Sequence, residues 1–125
     1  MLNVISRSLI SKHNRGPRKV AINLLKGLDE IGYPYVTNAA LNATDLLWIH
    51  DDAIALQAAL NLPQRPLIVA GPNIHTLPQE LPILQKDLSL IWIHPASWVQ
   101  KFWDTFGTQP LPSAVWPVGI DTKKF

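Results

Sequence analysis

Three of the four histidines stand at or just beyond the ends of short apolar runs, where chemistry is usually placed. His50 follows Leu46-Leu-Trp-Ile49 and His94 follows Leu90-Ile-Trp-Ile93. His75 lies in Ala70-Gly-Pro-Asn-Ile-His-Thr76, after Leu67-Ile-Val-Ala70. The fourth, His13, shares a basic segment with Arg7, Lys12, Arg15, Arg18 and Lys19. An imidazole at a strand end can bond a ligand hydroxyl or phosphate, or it can be satisfied by backbone. Both readings stand for His50. Asn73 and His75 flank a Gly-Pro turn, as ligand contacts or as surface residues. A crowd of Lys and Arg suits a bound anion, most often phosphate, or a solvated loop.

The basic segment ends in Arg15-Gly-Pro-Arg-Lys19, which opens a helix. A helix N-terminus carries partial positive charge, so Arg18 and Lys19 there cost about 0.3–1 kcal/mol each. An anion bound beside Gly16 and Arg18 would reverse that sign; extension of both side chains into water would merely screen it. Neither a G-x-G-x-x-G fingerprint nor a P-loop is present. Asp51 is expected to cap the helix after His50, with Asp52 as a first-turn acid. Adjacent carboxylates at a helix start diverge, which disfavours a metal there. Ser97 is expected to satisfy helix amides rather than to act as a nucleophile. No cysteine occurs, which excludes thiol catalysis, disulfides and thiolate metal sites. No metal or cofactor is expected.

These residues need elements to position them. The three runs above and Ala114-Val-Trp116 do not alternate apolar with polar, as strands covered on both faces do not. Leu2–Ile5 serves as a first strand. A helix is predicted over Pro17–Ile31, with Val20, Ala21, Leu24, Leu25, Leu28 and Ile31 as one stripe, Pro17 at its first position and Gly32 just past its end. A second follows Asp51, with Ile54, Ala55, Ala58 and Ala59 for packing. A third runs from the capping box Ser97-Trp-Val-Gln100 to Gly107, burying Val99, Phe102, Trp103 and Phe106. Strands alternating with helices predict an α/β fold: a doubly wound parallel sheet in three α/β/α layers, as a single domain. Asn38–Thr44 is too short for a crossover helix, so either a brief turn joins two strands or one strand assignment fails. Gly71–Asp87, with three prolines, reads as an irregular loop. Trp48, Trp92 and Trp103 read as core; Trp98 and Trp116 are open, and an exposed one would mark a partner surface. In such a sheet, ligands bind beyond the carboxyl ends of the strands, at Ser6–Arg15, His50–Asp52, Gly71–His75 and His94–Ser97.

Bulk properties agree. A chain of 125 residues, 47% apolar and 16% charged, has ample core material. A net charge of +2 is too small to point to nucleic acid, and none is expected as a partner. No apolar run approaches the ~18–20 residues that span a bilayer. The first 28 residues carry six Lys or Arg and no acid, like a mitochondrial transit peptide. The strand at Leu2–Ile5 argues against that, and a cytoplasmic location is the expectation.

Four landmarks in order resemble the N-terminal domain of a GT-B fold glycosyltransferase, group 1 (family 4). They are Arg15-Gly-Pro-Arg-Lys-Val…Asn23-Leu-Leu-Lys-Gly-Leu28…Gly32 with Tyr33-Pro-Tyr-Val36, Asp45-Leu-Leu-Trp-Ile-His50-Asp51, Ile93-His-Pro-Ala-Ser97-Trp98-Val99, and Trp116-Pro-Val-Gly119-Ile-Asp121…Phe125. The first loop is shorter than in the family, and the histidine motif lacks the second histidine often seen there. The resemblance implies a Rossmann-like acceptor-side lobe over residues 1–118, with an interdomain linker starting at 119–125. It also implies a nucleotide-sugar donor, a sugar or phosphorylated acceptor, and a second lobe carrying an E-x-x-x-x-x-x-x-E motif. Without that lobe no transferase activity is expected. By the same resemblance Gly16 and Arg18 lie near donor phosphate or acceptor, His50 lines the cleft, and Asn73 and His75 shape the acceptor pocket. Peripheral membrane contact and a homodimer stay open as partners, and so does a stand-alone sugar- or phosphate-binding module.

Overall fold

The computed structural model of the chain describes residues 1–10, 15–72, 90–95, 97, 100, 101 and 113–116. His13, Asn73, His75, Trp98, Trp103, the anticipated buried face of the third helix and the linker at 119–125 lie outside them. So does most of the Gly71–Asp87 loop.

Six strands form one all-parallel sheet: β1 (Leu2–Ile5), β2 (Tyr35–Thr37), β3 (Leu46–Ile49), β4 (Leu67–Ala70), β5 (Leu90–His94) and β6 (Ser113–Val115). Their spatial order is β2-β1-β3-β4-β5-β6. Helix α1 (Arg15–Glu30) links β1 to β2, and α2 (Ala53–Leu60) links β3 to β4. The arrangement is Rossmann-like and doubly wound. Alternate strand residues go to opposite faces. Leu2 and Val4 meet Leu24 and Leu28 of α1, while Ile5, Leu47, Ile49, Ile68, Ala70, Leu90 and Trp92 meet Leu56 and Ala59 of α2.

The α1 stripe is buried at Ala21, Leu24 and Leu28. Ile31 is instead exposed, because the helix has ended and the chain turns left-handed at Gly32, φ +70°. The Tyr33 amide bonds the Leu28 carbonyl at 2.9 Å and the Gly32 amide that of Asp29 at 3.1 Å, a Schellman close. The helix starts at Arg15, so Pro17 falls inside the first turn, where its missing N–H has no intrahelical partner to lose. In α2 the packed face is Ala55, Leu56, Ala59 and Leu60. Ile54, expected in the core, is 76% exposed, and Ala58 is exposed. Both lie off the face that Leu56 sets, at 100° per residue.

The short connection before β3 is a turn between two strands, and the buried side chain of Asn3 makes it workable. Its amide donates to the Ala39 carbonyl at 3.1 Å and the Ala40 carbonyl at 3.2 Å, and its oxygen accepts from the Ala39 amide at 3.1 Å. The returning chain is thereby pinned across β1, with Leu41 packed on the core. A crossover helix is replaced by one amide side chain.

Candidate functional site

The register aligns Ile5, Ile49 and Ala70 across β1, β3 and β4, so Ser6, His50 and Gly71 form the next row at the carboxyl edge. The ladder continues into that row: the His50 amide bonds the Ile5 carbonyl at 2.9 Å and the Gly71 amide bonds Ile49 at 2.8 Å. Between β1 and β3 the winding reverses, with α1 on one face and α2 on the other. The loops diverge there, which is where open α/β sheets bind ligands.

The floor of that switch point is a buried polar hub. Ser6 donates its amide to Asn38 Oδ1 at 2.9 Å, and Asn38 Nδ2 donates back to the Ser6 carbonyl at 3.1 Å. Ser6 Oγ and His50 Nδ1 are 3.1 Å apart. The Asp51 carboxylate accepts from the Arg7 amide at 2.8 Å, the Ser8 amide at 3.1 Å and the Ser8 hydroxyl. Arg18 donates from its guanidinium to the Ser8 carbonyl at 3.2 Å. Every N, O and Oγ of Ser6 and Ser8 is therefore bonded, and both residues are fully buried. Leaving one such group unmet would cost about 1–3 kcal/mol, so the three elements are locked to one another. Asn38 meets its double bond in a left-handed conformation, φ +49°, which Asn tolerates better than most residues.

This hub is not a catalytic triad. Ser6 Oγ and Asp51 Oδ2 both address His50 Nδ1, the carboxylate at 3.7 Å, whereas a relay needs serine and acid on opposite ring nitrogens. All three side chains are buried. The hub serves to fix geometry.

Of the residues expected from the sequence, Arg18 and His50 meet in this hub, and Gly16 lies exposed in the first turn of α1. A Cβ at Gly16 would meet nothing within 4 Å, so packing does not require glycine there. Asn73 and His75 lie outside the described residues. The helix cap falls one residue later than expected: Asp52 accepts from the Ala55 amide at 3.0 Å, while Asp51 turns back to the first loop. The first two orphan amides of the β1 loop are Asp51's stronger claim. Sequence reasoning missed Ser6, Ser8 and Asn38, whose partners lie up to 44 residues away. It missed no local signal, since only the register brings them together. His94 is buried at the end of β5, and its carbonyl accepts from the Trp116 amide at 2.8 Å.

Other features lie off this rim. Trp48, half-buried on the α1 face, donates its indole N–H to the Gly71 carbonyl at 2.9 Å and meets Trp116 edge-on at 5.9 Å. With Asn23, Leu24, Gly27 and Leu28 the two rings line a groove of about 270 Å³. A larger cavity, about 800 Å³, opens at the amino edge between Asn42–Asp45 and Leu62–Pro66. Also at that edge, the Tyr35 hydroxyl donates to Asp29 at 2.9 Å, and that bond, with some desolvation and the negative charge, raises the phenol above its ordinary pKa. Among the described residues, no three His, Asp or Glu side chains group as metal ligands, and no helix is long and apolar enough to cross a membrane. The chain matches no protein-family model, no curated protein and no solved structure.

Proposed function

We propose that this chain is the acceptor-side lobe of a nucleotide-sugar-dependent glycosyltransferase resembling family 4, working with a second, donor-binding lobe. One observation carries the reading. Four residues of the landmarks that resemble the family fall at one edge of the sheet: Gly16 and Arg18 at the opening of α1, His50 after β3 and His94 closing β5. Glycosyl transfer needs donor and acceptor held together, and a locked carboxyl rim is a suitable wall for such a cleft. The charge along Arg7, Arg18 and Lys19 suits a phosphate-bearing ligand.

A second reading has its own support. Full burial of Ser6 and His50 leaves the hub with no reactive atom at the surface, which suits a sugar- or phosphate-binding module without catalysis. Amide shifts followed by NMR during titration with a panel of nucleotide sugars, then phosphorylated sugars, test both. The expected result is a set of shifts centred on Gly16, Arg18 and His50. Unmoved amides at all three would end the rim reading. Binding without turnover, after a donor-binding lobe is supplied, would favour the module.

A further inference from the structure

We propose that Arg7 is the anion-recognising side chain of the rim, taking a phosphate oxygen of a phosphate ester or diphosphate ligand. This rests on reading the rim as a ligand crevice, and it names the cation that serves it. Arg18 is the cation that the sequence brings forward, at the start of α1. In the structure it is half-buried, with its guanidinium on the Ser8 carbonyl, while Asp51 holds the Ser8 amide. These opposite charges straddle one residue and largely offset each other at a distance. Across the crevice, Asp52 is engaged in capping α2.

Arg7 differs in its exposure, while sharing Asp51 as a backbone partner. Its amide is held by Asp51 at 2.8 Å and its carbonyl accepts from the Ile10 amide at 3.0 Å. Its neighbours Ser6 and Ser8 are wholly buried, yet Arg7 itself is exposed. It is a long cation on a pinned backbone, beside the switch point between β1 and β3. A fixed backbone reduces the ordering cost of binding, and a guanidinium fork matches paired phosphate oxygens. The polar hub thus has a purpose beyond stability: it presents Arg7.

The test is inorganic pyrophosphate titrated into the full chain, read by amide shifts, with Arg7→Gln, Arg7→Lys and Lys26→Gln. Lys26 is exposed on α1, about 16 Å along the helix from Arg15, and controls for net charge. Arg7→Gln is expected to weaken binding about tenfold and Arg7→Lys by less, while Lys26→Gln stays within about twofold. The Ser6, Ser8 and Asp51 amides should keep their positions in ligand-free Arg7→Gln, showing an intact hub. No binding to the parent at millimolar pyrophosphate, or equal losses in Arg7→Gln and Lys26→Gln, would overturn the assignment. Pyrophosphate bound through Arg7 with no nucleotide sugar bound would defeat the glycosyltransferase reading and leave Arg7 standing. Nucleotide-sugar binding indifferent to Arg7→Gln would do the reverse.

Discussion

Asp51 at the carboxyl edge of the sheet and Asp45 at the amino edge are the same residue type in opposite circumstances. The Asp51 side chain is 6% exposed and holds two amides and a hydroxyl from another loop. That of Asp45 is 97% exposed and lies 4.0 Å from the Met1 amino group. The carboxyl edge has many fixed bonds, whereas the amino edge has a cavity of about 800 Å³ framed by turns. Parallel strands point their carboxyl ends, and the loops into helix starts, at the former. Organisation, rather than emptiness, marks the better candidate.

Substitutions at matched positions can break this contrast. The largest effect is expected at the glycines. Gly71, φ +108°, has no room for a Cβ, which would clash with the Ile93 carbonyl oxygen. Gly71→Ala should cost about 4 kcal/mol in denaturant unfolding. At the amino edge Gly32→Ala should cost about 1 kcal/mol, since only its left-handed turn objects. Similar losses at both sites would remove the distinction.

The acids come next. Asp51→Ala strands three donors and should cost about 3 kcal/mol, with faster hydrogen exchange at the Arg7 and Ser8 amides. Asp45→Ala should change stability by less than about 0.5 kcal/mol. A hub that tolerates Asp51→Ala with unchanged exchange would not be a locked one.

The smallest effect belongs to Tyr35. Its phenol is raised because the neutral form donates to Asp29, so this bond contributes at pH values below the ordinary 10.0 and is lost as pH rises through the folded value. Ultraviolet titration of tyrosinate should show Asp29→Asn lowering the Tyr35 midpoint. A midpoint that stays put would mean the exposed bond is too weak to register.

Strands were the legible part of the sequence. The runs Leu2–Ile5, Leu46–Ile49 and Leu67–Ala70 are strands as bounded, β5 extends its run by His94 and β6 lies one residue earlier than Ala114–Trp116; strands covered by helices are largely apolar, with Asn3 a polar exception. Helix faces were legible only in part: α1 showed its stripe, while in the short, mostly apolar α2 Ala55 and Ala59 were expected correctly but Ile54 and Ala58 were expected to pack where Leu56 and Leu60 do. Neither Asn3 nor Asn38 announced itself. Each acts on backbone 32 to 37 residues away, and such bonds exist only after β1 and β2 have paired. The site was half readable for the same reason. His50 and Arg18 were visible from their places at element ends, but Ser6 and Asp51 became partners through register alone.

The position of β1 has a consequence for synthesis. It is made before its neighbours, yet it lies between β2 and β3, so its two edges wait for residues 35–37 and 46–49. At ribosomal speeds of about 5–20 residues per second, Leu2 and Val4 go unpaired for seconds. During that interval α1, whose bonds are all local, is the element able to form first and shield them. The nascent chain therefore has an early period in which a single amphipathic helix guards an unfinished strand.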